Sequence, residues 1–319
     1  MIVFREPAEV PVGFGPSVVA IGKFDGVHSG HRAVIDRARV AATDAGARVV
    51  AVTFDRNPLS LLRPELCPEP LVSLEQKLRL LAGAGVDATL VLRFDEALAG
   101  LSPREFVEHV LVDALGVVMV LVGDDFRFGK GGAGNPDLLV DLGAEFGFRA
   151  AVVGDIEGGG RRVSSTWVRE ALAAGDVEDA ARLLGRAHEV RGEVVHGLKR
   201  GRELGYPTAN LSTELEGFVP ADGVYAGWLL DEGAGAGAPS HAVTRYPAAI
   251  SVGTNPTFDD VQARQVEAYV LDEQDLDLYG HTVRVRFTHR VRPMMAFDGI
   301  ETLIAQMGDD VARVRSLLR

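Results

Sequence analysis

Short runs of aliphatic and β-branched residues recur along the first half of the chain, at Ser17 to Ile21, Val49 to Phe54, Ala88 to Leu92, Val117 to Val122 and Ala150 to Val153, with helical segments between them. Strands alternating with helices predict a parallel sheet with crossover connections. Runs that are apolar throughout, such as Val117 to Val122, imply helices on both faces of that sheet. One helix is well marked by SPREFVEHVLVDALG: Ser102 caps, Pro103 takes the first turn, Glu105 completes a capping box and Gly116 follows the last turn. Asp176 with Asp179 opens another, closed near Gly185. Residues 1–185 are expected to form a doubly wound α/β domain.

After about His188 the period changes. Val283, Val285 and Phe287 alternate with Arg284, Arg286 and Thr288, and Val266, Ala268 and Val270 alternate with Glu267, Tyr269 and Leu271. That is the pattern of half-buried antiparallel strands. Pro207, Pro220, Gly223, Gly253 and Pro256 punctuate them, and DEGAGAGAPSHAVTRYP reads as a mobile hairpin loop. Residues 186–319 are expected to form a small antiparallel β-barrel domain. In the last segment Ile300, Leu303, Ile304, Met307, Val311, Val314 and Leu318 share one helical face, a stripe expected to pack on the barrel. There is no internal repeat at a fixed period.

The 319 residues (34.0 kDa) are enough for two domains, and 47% hydrophobic with 24% charged residues is ordinary globular composition. Thirty-three Lys and Arg against 45 Asp and Glu leave a net charge of -12, the wrong sign for a surface that wraps nucleic acid. A lone cysteine, Cys67, forms no intrachain disulfide and points to a reducing, cytoplasmic location. The longest purely apolar run, Val117 to Val122, is far short of the ~20 residues that span a bilayer. MIVFREPAEV lacks the apolar stretch of a signal peptide. No membrane association is expected, and contacts with neighbouring subunits in a homo-oligomer stay open.

Two segments carry chemistry in the first half. GKFDGVHSGH, Gly22 to His31, follows the first predicted strand and opens a helix. Gly22 and Gly26 let backbone approach a ligand, while His28, His31 and the helix N-terminal N–H groups suit phosphate oxygens. A metal reading finds only Asp25 as a further local ligand, and simple helix capping by the histidines is the plainer alternative. VSSTWVREALAAG sets Ser164, Ser165 and Thr166 at another helix start with Arg169 one turn in, a set that suits polyphosphate or merely caps a helix. Ligands of a parallel sheet bind at the carboxyl ends of its strands, so the two helix starts are expected to converge.

The second half holds HGLKRGRELGYPTANL, His196 to Leu211, a basic loop with Gly197, Gly201, Gly205, Lys199, Arg200 and Arg202. It is not a Walker A loop, and a solvated basic hairpin is the plainer reading. Thr208 and Asn210 are hard oxygen donors two apart, hence on one face of a strand and suited to Mg2+. Glu267 points away from the apolar face of its strand and is a candidate base or an ordinary exposed glutamate.

These segments carry a resemblance. GKFDGVHSGH with SSTWVR resembles the (H/T)xGH nucleotidyltransferase superfamily, in particular the adenylyltransferase module of prokaryotic bifunctional riboflavin kinase/FAD synthetases. VGDDFRFG is similar to that module's flavin-site segment, and TFDRNP lies where the family reads close to TFDPHP, with Asn57 in place of the usual histidine. GRELGYPTANL, PADGVYAG, ISVGTNPTF and VEAYVLD, in that order, resemble the riboflavin kinase domain over nearly its whole length, with FDGI and the closing helix matching its flavin side.

The resemblance implies a bifunctional enzyme that uses ATP and Mg2+ to convert riboflavin to FMN and then FMN to FAD with release of pyrophosphate. It implies catalysis by Glu267 in one half and by His28, His31 and Arg169 in the other. It places ATP on Gly22, Phe24, Asp25, Ser164, Ser165, Thr166, Gly197, Arg202 and Gly205, flavin on Asn57, Asp125, Phe126 and Asp298, and Mg2+ on Thr208 and Asn210. Asparagine can neither take up a proton nor become positively charged, so an FMN-forming chain with an impaired first half is one competing expectation. A flavin-binding regulator without turnover is the other.

Overall fold

The computed structural model describes residues 1–196, 205–234, 243–254, 264–273 and 276–319. Its contacts divide the chain into two compact units, Met1–Ser165 and Thr166–Arg319.

The first unit is built on a six-stranded sheet: β1 (Ile2–Phe4), β2 (Ser17–Ile21), β3 (Arg48–Phe54), β4 (Ala88–Leu92), β5 (Val117–Gly123) and β6 (Arg149–Val153), in the order β1-β4-β3-β2-β5-β6. Every pairing in it is parallel, and β7 (Glu157–Gly158) and β8 (Arg161–Arg162) form a separate antiparallel pair after it. All five residues of β2 and of β4 are buried, because helices cover both faces. Val19, Val50, Leu90 and Val120 pack on one face with Leu111 and Leu139. Val18, Ala20, Val49 and Ala51 pack on the other with Ile35, Ala38 and Leu81. From β2 the chain moves outward through β3 and β4, then returns to place β5 on β2's other side. The loops leaving β2 and β5 therefore diverge, opening a crevice at the carboxyl ends of those strands.

All five expected strands of this unit form, and β1 adds an edge strand too short to stand out in the sequence. Ser102 accepts from the Glu105 backbone N–H while the Glu105 carboxylate accepts from that of Ser102 at 2.8 Å, the expected capping box. From Val107 to Ala114 the helix widens to π-type hydrogen bonding, for which residue periodicity gives no sign.

The second unit begins within the helix Ser165–Ala174 and continues through Val177–Leu184, capped by Asp176 and closed by Gly185. Arg290 donates to the Ala174 carbonyl at 2.7 Å and to the Asp222 carbonyl at 3.1 Å, while its backbone N–H meets Glu178. Beyond these helices the strands β9 (His188–Val195), β10 (Thr208–Leu211), β11 (Gly223–Ala234), β12 (Thr244–Thr254), β13 (Arg264–Val270) and β14 (His281–Pro293) close a barrel in the order β10-β13-β12-β11-β14-β9. All its pairings are antiparallel. Val266, Ala268 and Val270 fill its interior, as their alternation predicts. β11 and β12 pair to Asp231 and Thr244, and most of the Gly/Ala-rich link between them lies outside the described residues.

The closing helix, Ile300–Leu317, covers part of the barrel's outer face, where Val314 is buried with Ala226 and Leu271. Only part of the expected stripe packs. Ile300 is 65% exposed and Ile304 36% exposed, because the contacts of the helix gather toward its C-terminal end.

Candidate active sites

In the first unit β2 feeds a sharply turned loop. Phe24 (φ 49°) and Val27 (φ 41°) sit in the left-handed region although neither is glycine, and both are almost fully buried. Such backbone persists only where its surroundings over-determine it, and it is concentrated at functional loops. His28 caps the helix Ser29–Ala45, its Nδ1 accepting from the His31 backbone N–H at 3.4 Å. That leaves Nε2 to carry the proton of the neutral ring. The two imidazoles stack with centroids 3.7 Å apart. His28 thus caps the helix as the plainer reading holds, without losing its other nitrogen to that role.

The second motif arrives at the same place. Ser165 Oγ donates to the Asp25 carbonyl at 2.9 Å, and a Cβ on Gly30 would lie 3.1 Å from the His28 ring and 3.6 Å from the Val163 carbonyl. The helix starts at Ser29 and Ser165 are therefore brought together, as strand topology predicts. Ser164 adjoins Ser165, and Thr166 and Arg169 lie further along the Ser165–Ala174 helix.

Electrostatics mark this as a place for an anion. Burial pushes His31 well below its usual pKa, reinforced by the positive charges of His28, Lys77, Lys23 and Arg162. His31 Nδ1 is buried without a hydrogen-bond partner. A ring kept neutral by burial and, less strongly, by surrounding cations gains proton affinity when a phosphate enters. Around it, Phe24 packs against the His31 ring, and Asp25 Oδ1 accepts from the Leu71 N–H at 2.8 Å. Gly22 faces the Phe24 ring, which a Cβ would approach to 3.4 Å.

The flavin-side candidates lie beyond the ends of β3 and β5. Asn57 Oδ1 accepts from the Leu59 N–H at 3.1 Å. Asp125 pairs with Arg162 at 2.9 Å, and Phe126 stacks on Phe128 with centroids 5.4 Å apart.

In the second unit β10 pairs with β13 so that Asn210 lies opposite Glu267 and Thr208 opposite Tyr269. Thr208 Oγ1 donates to Glu267 Oε2 at 3.3 Å, Asn210 Nδ2 donates to Thr208 Oγ1 at 3.2 Å, and Gln265 Nε2 donates to Asn210 Oδ1 at 3.3 Å. Burial raises the Glu267 pKa, partly opposed by the Thr208 hydroxyl. Thr208 and Glu267 line a cavity of about 270 Å³ together with Tyr269, Met294, Phe297 and Met307 among others. Asp298 is exposed and lies outside that lining, although its neighbour Phe297 belongs to it. Gly205 has φ +85°, a backbone that favours glycine, just before Tyr206 in the cavity wall. Gly197 and Arg202 lie outside the described residues.

Comparison with known proteins carries the geometry to a family. The FAD synthetase family model matches residues 14–167 and the riboflavin kinase model residues 184–318. A bifunctional riboflavin kinase/FMN adenylyltransferase of Pseudomonas fluorescens is 38% identical over 94% of this chain and 92% of its own length. The chain belongs to this bifunctional family. Its relatives of the same description from Escherichia coli K12 and Listeria monocytogenes are 37% and 36% identical, each over 91% of its own length. A crystal structure from Streptococcus pneumoniae, described as a macrolide-efflux protein, is 31% identical with a TM-score of 0.85 over 98% of both chains. Among the described residues of this chain no helix is long and apolar enough to cross a membrane.

Sequence reasoning missed three residues around these candidate sites. Arg162, ion-paired with Asp125 and Asp155, adds charge near His31. Arg292 holds the buried Asp310 by a bidentate pair in the wall of the cavity. Lys77 is buried near the end of β3. Its sequence signal was its place three residues after Leu74 and four before Leu81, on the apolar stripe of its helix.

Proposed function

We propose that residues 186–319 phosphorylate riboflavin and residues 1–185 adenylylate the resulting FMN, each with its own ATP. The observation that carries the reading is the contact between Thr208 and Glu267, which sets a hydrogen-bonded, partly desolvated carboxylate in the wall of a mostly apolar cavity.

In the phosphorylation, the 5'-hydroxyl oxygen of riboflavin attacks the γ-phosphorus of ATP, the bond from that phosphorus to the bridging oxygen breaks, and ADP leaves. Glu267 takes the hydroxyl proton. Its raised pKa makes it a better proton acceptor than an ordinary surface glutamate. Gly197, Arg202 and Gly205 are assigned to ATP, and Asp298 to the flavin.

The donor set fits Mg2+. Thr208 Oγ1 and Asn210 Oδ1 are neutral hard oxygens beside a carboxylate, and among the described residues no cluster of three or more His, Cys, Asp or Glu could hold a metal alone. A partial protein shell suits an ion that keeps its waters and phosphates. When bound, it neutralises charge on the transferring phosphoryl group.

In the adenylylation, an FMN phosphate oxygen attacks the α-phosphorus of ATP and pyrophosphate leaves. The nucleophile is already anionic, so no base is needed. His28, His31, Arg169, Ser164, Ser165 and Thr166 bind and orient the phosphates, with Gly22, Phe24 and Asp25 on the nucleotide side. Asn57, Asp125 and Phe126 are assigned to the flavin. With Asn57 Oδ1 engaged by Leu59, its amide N–H groups are the donors left for a phosphate, without the charge a histidine would bring.

The enzyme is placed in the cytoplasm, acting on free small molecules rather than on nucleic acid or membranes; a homo-oligomer is compatible with this scheme. A chromatographic time course with Mg2+, ATP and riboflavin, repeated from FMN, tests it. FMN followed by FAD in the first series, and FAD in the second, is expected. No conversion of either flavin would return the chain to a binding role.

A further inference from the structure

Lys77 is 9% exposed, at the start of the helix Leu74–Gly83, and no role assigned above uses it. A buried ammonium is costly unless its charge is met. Here it is met in part. Nζ donates to the Phe54 carbonyl at 3.1 Å and makes a long contact of 3.4 Å with Thr53 Oγ1. Asp25 and Asp55 draw on it electrostatically, and one oxygen of each accepts from the backbone N–H of Leu71 and of Phe94. Burial holds the Lys77 pKa below that of an ordinary lysine, against the pull of those carboxylates.

Its position gives this cation a purpose. Phe54 ends β3, and Thr53 Oγ1 donates to the Lys23 carbonyl at 3.1 Å. Lys23 immediately precedes left-handed Phe24 in the loop that delivers His28 and His31. Lys77 thus fastens the carboxyl end of β3, and through Thr53 the root of the strained loop. It also stands among the positive groups around His31.

We infer that Lys77 is a positioning residue of the adenylyl-transfer site: it fixes the junction between β3 and the histidine-bearing loop and supplies positive charge that incoming phosphates complete. The inference rests on the adenylylation proposed above. The groups that share this field are Lys23, Asp25, His28 and His31 of the loop, Asp55 after β3, and Arg162.

The test uses the full chain, which carries its own control. K77Q keeps a donor for the Phe54 carbonyl without the charge, and K77R keeps the charge. For K77Q, kcat for FAD formation from FMN falls about 10–100-fold, the scale on which outer-shell partners act. Riboflavin phosphorylation by the same preparation is unchanged. The His31 Cε1–H titration, followed by NMR, shifts upward toward the ordinary imidazole range, which a purely structural role would not produce. K77R restores most of the rate.

Wild-type FAD formation by K77Q, or a His31 titration that does not move, overturns the inference. A wild-type chain that forms no FAD overturns the adenylylation reading instead. If neither variant folds, pyrophosphate is titrated into the wild-type chain with the Lys77 side-chain carbons observed. Joint movement of the Lys77 and His31 resonances is expected, and a stationary Lys77 signal contradicts the role.

Discussion

Thr208 and Glu267 meet across the β10–β13 pairing, hydroxyl to carboxylate at 3.3 Å, with Asn210 donating to the same hydroxyl. The contact has a kinetic consequence because the two influences on Glu267 oppose each other: burial raises its pKa and the Thr208 hydroxyl lowers it. The base works ionised, so phosphorylation is lost as pH falls through that raised pKa. T208V removes the lowering influence and moves the acid limb of the riboflavin kcat/KM profile to higher pH, while FMN adenylylation keeps its profile. An acid limb that stays in place would show that Thr208 does not tune the base.

Gly30 sits where a methyl group would press on the His28 ring at 3.1 Å. G30A displaces that imidazole from its stack on His31. Overpacking of this kind costs about 1–3 kcal/mol. FAD formation is expected to drop at least tenfold with riboflavin phosphorylation retained, measured on the two activities of one preparation.

His188 is buried at the start of β9, with its Nε2 2.6 Å from the Phe218 carbonyl. Burial lowers its pKa to about 4, against the hydrogen bond that raises it. The unfolded chain, with an imidazole near 6.5, binds more protons between those values, so this group favours folding fully above pH 6.5 and loses that contribution toward pH 4. The loss is on the order of 3 kcal/mol. Urea unfolding of the barrel between pH 7 and pH 4 measures it, and H188Q flattens that part of the dependence.

Arg292 and Asp310 join the end of β14 to the closing helix through a bidentate pair, and Gln306 also donates to Asp310. The Asp310 side chain is 7% exposed, so removing its partner strands a charge, at about 3–5 kcal/mol. R292M loosens the helix that forms part of the cavity wall. The riboflavin KM is expected to rise more than kcat falls, with thermal melting of the barrel lowered.

Much of this architecture was legible because local chemistry and tertiary structure agree. Strand runs buried on both faces, the Ser102 capping box and the period-two alternation around Glu267 each appear where the residues place them. The exposed ends of the closing stripe, Ile300 and Ile304, did not follow, since periodicity names a face without saying how much of it finds a partner. Nor did Lys77 or the Arg292–Asp310 pair, whose meaning depends on contacts with residues remote in sequence. The convergence of the two helix starts was inferable only through strand order, because Asp25 and Ser165 are separated by 140 positions.

The division of labour between the two halves is tested most directly by E267Q, assayed on riboflavin and on FMN in parallel. Loss of general-base catalysis predicts riboflavin phosphorylation reduced about 10²–10⁴-fold. FAD formation from FMN is predicted to continue at the wild-type rate. Undiminished phosphorylation, or loss of both activities in a folded chain, would contradict the account.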